Sequence, residues 1–67
     1  MIAFTLNGAP HQLPAAGSIA DLIASLGLTG KRMAVEQNGE IVPKSRHATT
    51  PVASGDRIEI VVAVGGG

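Results

Sequence analysis

The residues of this chain best suited to chemistry carry no side chains. Gly65-Gly66-Gly67 follow directly on Val61-Val62-Ala63-Val64 and are the last residues present. Consecutive glycines reach positive φ freely and lose much entropy on ordering. The segment therefore reads as a thin tether that threads a narrow cleft and offers a carboxylate at Gly67. Chain ends also fray, and a frayed end is the other reading of the same residues. Conventional reactive side chains supply little else. There is no cysteine, which removes disulfides, thiolate metal sites, a cysteine nucleophile and a protein-bound persulfide. His11 and His47 stand far apart without a carboxylate or second histidine at zinc-ligand spacing, so no metal site is expected and both are assigned to the surface. Ser18, Ser25, Ser45 and Ser54 lack a histidine and orienting acid, and no Gly-x-Ser-x-Gly elbow occurs. Nor are the tail glycines a phosphate cradle, since such a loop opens a helix and none follows. With no catalytic residue to assign, the chain reads as a carrier or substrate and not an enzyme. It has no cofactor of its own, and ATP, if used, is held by a partner.

Composition narrows the classes further. Sixty-seven residues suffice for one domain, 1–67, with 65–67 as its tail. A chain this short buries about 60% of its unfolded surface, and a hydrophobic content of 45% is enough to collapse it. Five Lys and Arg balance five Asp and Glu, and only Lys31-Arg32 adjoin. Without a basic surface, nucleic-acid binding is disfavoured. That also weakens the one Gly-x-x-Gly loop, Gly27-Leu28-Thr29-Gly30, whose first glycine is better used to end a helix. No run reaches the roughly 18 apolar residues of a membrane span, and the first residues lack the form of a signal peptide. A cytoplasmic location is the expectation.

The elements that position the tail follow from periodicity. Ile2, Phe4 and Leu6 alternate with Ala3 and Thr5, Asn7-Gly8 suits a type I′ turn, and residues 9–13 return as a second strand. Pro10 confines that return to a sheet edge. Ser18, with Asp21 three residues on, caps a helix whose stripe is Ile19, Leu22, Ile23 and Leu26, ended by Gly27. Residues 33–37 and 40–42 form a second hairpin about Asn38-Gly39, stopped by Pro43. A helical turn is expected near Ser45-Arg46-His47, a short edge piece at Pro51-Val52, and a turn at residues 53–56. The final strand alternates Ile58, Ile60, Val62 and Val64 against Arg57, Glu59, Val61 and Ala63. As the most apolar strand it belongs at the sheet centre, parallel to the first. The class is α+β, a mixed sheet of four to five strands covered by one main helix, which is the β-grasp or ubiquitin-like arrangement.

On these residues the chain resembles the ThiS family of sulfur carriers in thiamine biosynthesis. The likeness runs through Asn7-Gly8, the helix from Ser18 to Leu26, Ala34-Val35-Glu36-Gln37-Asn38, Ile41-Val42-Pro43, Gly55-Asp56 and the apolar run into the glycines. A third glycine departs from the di-glycine end common in the family, so Gly66 and Gly67 both remain open as the functional terminus, with Gly67 preferred. The resemblance implies that a ThiF-like enzyme adenylates the terminal carboxylate with Mg-ATP. A sulfur atom from a cysteine desulfurase route then displaces AMP to leave a thiocarboxylate, which a ThiG-like thiazole synthase consumes. Val61 and Ala63 are expected either to adjoin an apolar patch that docks the adenylating enzyme or to be covered by Val42 or Met33. The small subunit of molybdopterin synthase, a ubiquitin-like modifier and a plain interaction domain are the alternatives.

Overall fold

The computed structural model describes residues 1–63. Its strands are β1 (Ile2–Leu6), β2 (Ala9–Leu13), β3 (Met33–Gln37), β4 (Glu40–Ile41) and β5 (Arg57–Val62), with helix α1 (Ile19–Ser25) after β2 and a 3-10 turn at Lys44–Arg46. They form one five-stranded sheet in the order β2-β1-β5-β3-β4. Its centre, β5, runs parallel to β1 and antiparallel to β3, as the apolar run of the last strand predicts. Pro10 lies in edge strand β2, where its missing N–H is harmless. Val64 and the expected tail at Gly65, Gly66 and Gly67 lie outside the described residues.

Local chemistry fixes each element before packing does. Ser18 and Asp21 form a reciprocal capping box, with Ser18 N–H donating to Asp21 Oδ2 at 2.8 Å and Asp21 N–H donating to Ser18 Oγ at 3.2 Å. At the other end Gly27 takes φ +73°, and the N–H groups of Leu28 and Gly27 close on the carbonyls of Ile23 and Ala24. That is a Schellman stop, which a residue with Cβ disfavours. Seven residues could not hold a helix in water alone. Ile19, Leu22 and Ile23 therefore pack against Phe4, Val35, Ile58 and Ile60 of the sheet, joined by Leu13, Val42 and Val52.

Pro51 and Val52 depart from the expected edge strand. Pro51 bridges Ser18, and the Val52 N–H donates to Gly17 O at 2.9 Å, so the pair pins the start of α1 and buries Val52 beneath it. The second hairpin also pairs one residue less than expected. Val42 leaves β4 for the core, although its N–H still reaches Val35 O at 2.8 Å. Neither histidine is a free surface group. His11 is half-buried with its ring 5.5 Å from that of Phe4, and half-buried His47 bonds Val42 O through Nε2 at 3.0 Å. A carbonyl only accepts, so that nitrogen carries the proton.

Candidate functional site

β5 carries the chain from the middle of the sheet toward its end, and both Asn-Gly turns clamp it on the way. Asn7 and Asn38 hold φ of 51° and 54°, a region Asn tolerates better than most residues. The Asn7 amide reads the backbone of Ile60 twice, its Oδ1 accepting from the N–H at 2.9 Å and its Nδ2 donating to the carbonyl at 3.2 Å. It thereby continues the parallel ladder past the last residue of β1. Asn38 accepts the Arg57 N–H on Oδ1 at 2.9 Å and donates from Nδ2 to Asp56 at 3.0 Å. Asp56 also accepts from Gln37 and from the Ala53 N–H, each at 2.8 Å. Burial works to raise its pKa, but the bonds from Asn38, Ala53 and Gln37 prevail and hold it below the ordinary 3.8.

Val61 and Ala63 emerge on the sheet face that α1 does not cover. Val61 is 67% exposed and stands directly opposite exposed Ala34. Val42 is buried in the core, and Met33 pairs with Val62 on the helix side, so neither covers Val61. Val61 is therefore uncovered on this face, and β5, though central, is buried on one face only. Ile41, 65% exposed, belongs to the same face through its pairing with Glu36. Glu36 in turn stands opposite Glu59. The result is an apolar patch of Val61, Ala34 and Ile41 with two carboxylates beside it. Sequence reasoning did not assign Ile41 and Ala34 to this patch, yet a two-residue turn at Asn38-Gly39 fixes the register and so puts Ile41 with Glu36 and opposite in sense to Val35. Ala63 is exposed, and its N–H donates to Arg32 O at 2.9 Å, which sets where the chain leaves the sheet.

Among the described residues no three His, Asp or Glu side chains come together as a metal site. Charge, in contrast, is sorted in a way the near-even sequence spacing concealed. Lys31, Arg32, Lys44 and His47 gather around one groove on the helix side of the sheet.

Fold and site together define a β-grasp domain whose central strand runs to Val62 beside an open, partly apolar sheet face. The family comparison agrees: the profile of the ThiS family matches residues 4–67. The chain belongs to the ThiS family. It is 47% identical over 51 residues to the sulfur carrier protein ThiS of Bacillus subtilis, covering 76% of this chain and 77% of that one. It superimposes with a TM-score of 0.82 on the crystal structure of the thiamine biosynthesis protein ThiS from Geobacter metallireducens, at 28% identity, covering 98% of this chain and all of that one. It is also 42% identical over 62 residues to a thiazole synthase of Paramagnetospirillum magneticum, where it spans 92% of its own length but 19% of that protein's. A thiazole synthase of Magnetococcus marinus is matched over the same small share, so this chain spans about a fifth of these relatives. No helix among the described residues is long and apolar enough to cross a membrane.

Proposed function

We propose that this chain is a sulfur carrier for thiazole formation in thiamine biosynthesis, a substrate of its partners and not a catalyst. The observation that carries the reading is membership of the ThiS family across residues 4–67, a span that includes the glycine end. The Bacillus subtilis relative is named for that role.

The chemistry belongs to the Gly67 carboxylate, with Gly65 and Gly66 as the stem that brings it to the partner. At neutral pH a carboxyl of ordinary pKa near 3.5 is ionised and a poor electrophile. A ThiF-like enzyme holding Mg-ATP activates it: a carboxylate oxygen attacks the α-phosphorus and pyrophosphate leaves. The terminal sulfur of a persulfide supplied through a cysteine desulfurase route then adds to the acyl carbon as AMP departs with the carboxyl oxygen, and a thiol reduces the S–S bond of the acyl disulfide so formed. The resulting thiocarboxylate passes its sulfur to a ThiG-like thiazole synthase. ATP use fits a cytoplasmic setting. Side chains at 65–67 would obstruct a cleft tight enough to keep water from an acyl-adenylate, whereas bare backbone fits. Ordering the glycines costs entropy, so affinity must come from the folded body. The patch around Val61 and Ala63 is the surface assigned to the adenylating enzyme.

Intact mass measurement after incubation with the adenylating enzyme, ATP and a sulfur source tests the reading. Replacement of one oxygen by sulfur is the expected result. An adduct joined to another protein would instead make the chain a modifier, and an unchanged mass would make it an inert interaction domain. Consumption by a reconstituted thiazole synthase, against molybdopterin synthase, decides the acceptor.

A further inference from the structure

The open sheet face gives the carrier one docking surface, and the opposite side of the molecule offers another. A groove of about 470 Å³ lies between α1, the loop ahead of β3 and the segment containing the 3-10 turn. Ala20, Ile23 and Met33 give it an apolar lining. Lys31, Arg32 and Lys44 stand around it, three of the five Lys and Arg in the whole chain, and among the described residues no acidic residue lines it. His47, tied to Val42 O through Nε2, adds a ring to the same wall.

Four of the five acidic residues are engaged or placed elsewhere, and the fifth, Glu40 of β4, is not among those lining the groove. Asp21 is held in the capping box, Asp56 in its cluster of amides, and Glu36 and Glu59 face each other on the far side of the sheet. Among the described residues no hydrogen bond engages the side chains of Lys31, Arg32 or Lys44. The groove is therefore an apolar seat with an uncompensated positive rim, and its complement is a carboxylate-bearing segment with an apolar anchor.

Its position says which partner brings that segment. Arg32 accepts the Ala63 N–H, and Met33 stands opposite Val62, so the groove adjoins the point where β5 ends. Any protein that takes up residues beyond Ala63 comes alongside it. A carrier must be charged by one enzyme and discharged by another. A rim of charge speeds arrival without making the complex hard to leave. With the sheet face assigned to the adenylating enzyme, the groove is left for the acceptor. Two thiazole synthases hold a segment similar to this chain within their own polypeptide, where a tether substitutes for docking affinity.

We propose that the Lys31, Arg32 and Lys44 groove docks an acidic segment of the thiazole synthase, an inference that rests on the sulfur-carrier reading. The test measures binding of the full chain to the thiazole synthase across a range of ionic strength, for the wild type, Lys31→Glu/Lys44→Glu and Lys31→Gln/Lys44→Gln. The expected result is affinity that falls with salt in the wild type, drops about tenfold or more in the Glu pair, drops less in the Gln pair and loses most of its salt dependence in both. Sulfur loading by the adenylating enzyme, read by intact mass, should be unchanged in both variants. Unchanged affinity for the synthase would overturn the proposal, as would an equal loss of loading by the adenylating enzyme. So would sedimentation showing that the wild type self-associates through this groove and the Glu pair does not. Failure of the wild type to load sulfur at all would instead strike the carrier reading, and the two failures are read in separate assays.

Discussion

Among single residues, Asp56 concentrates the most polar structure and carries the clearest pH dependence. Its carboxylate accepts from the Asn38 amide, the Ala53 N–H and the Gln37 amide, joining the 53–56 turn to the end of β3. These bonds outweigh the cost of burial and lower its pKa. A lowered folded-state pKa means the unfolded chain binds the proton more readily. The stabilisation is therefore present above the ordinary aspartate value of 3.8 and is lost as pH falls through the lower folded value. Asp56→Asn should cost about 1–3 kcal/mol at neutral pH, because an amide accepts fewer of these bonds and brings donors of its own. Urea unfolding from neutral pH into the acid range should show the gap between variant and wild type narrowing below the ordinary aspartate range. A constant gap would mean that the charge of Asp56 contributes nothing.

The elements show why most of the fold was legible and where it was not. Signals carried by a few adjacent residues were read correctly: Ser18 with Asp21 as a cap, Gly27 as a stop, two Asn-Gly turns, Pro10 as an edge marker. Pro51-Val52 looked like an edge strand because its partner, the start of α1, lies over thirty positions away in sequence and no local pattern announces it. Ser18 meets that same junction, so Ser18→Ala should cost about 1 kcal/mol and lower the melting temperature by about 4–8 °C for a domain of this size, measurable by thermal circular dichroism. β5 yields a contrasting expectation. Val61 projects from its exposed side and touches no core residue's burial, so Val61→Asp should change stability by no more than about 0.5 kcal/mol. Binding to the adenylating enzyme should nevertheless weaken by about tenfold or more if the patch is a desolvated contact. Calorimetric titration reads the second effect and chemical unfolding the first. Normal affinity in Val61→Asp would move the docking surface away from this face.

At the scale of the whole molecule, the proposed function places the reacting group in a different part of the chain from the core. Among the described residues the fully buried core ends with Ile60, while the carboxylate proposed for activation belongs to Gly67, seven positions later. A near-zero net charge gave no hint that folding would set the basic groove and the Glu36-Glu59 pair on opposite sides of the sheet, because linear spacing does not report which residues share a face. The tail reading rests on residue type alone: glycine gives up side-chain packing for backbone freedom. Because no fully buried residue lies beyond Ile60 among the described residues, deleting Gly67 or making Gly66→Trp should leave the melting temperature within about 2 °C of wild type, the change expected for a site remote from packing. The same variants should lose sulfur loading almost entirely, one by displacing the reacting carboxylate and the other by blocking entry to the cleft. Parallel thermal melts and intact mass spectra check both halves. If loading survives deletion of Gly67, Gly66 is the terminus that the adenylating enzyme accepts; if the melting temperature falls steeply, the glycines are part of the folded body and the separation of stability from function is wrong.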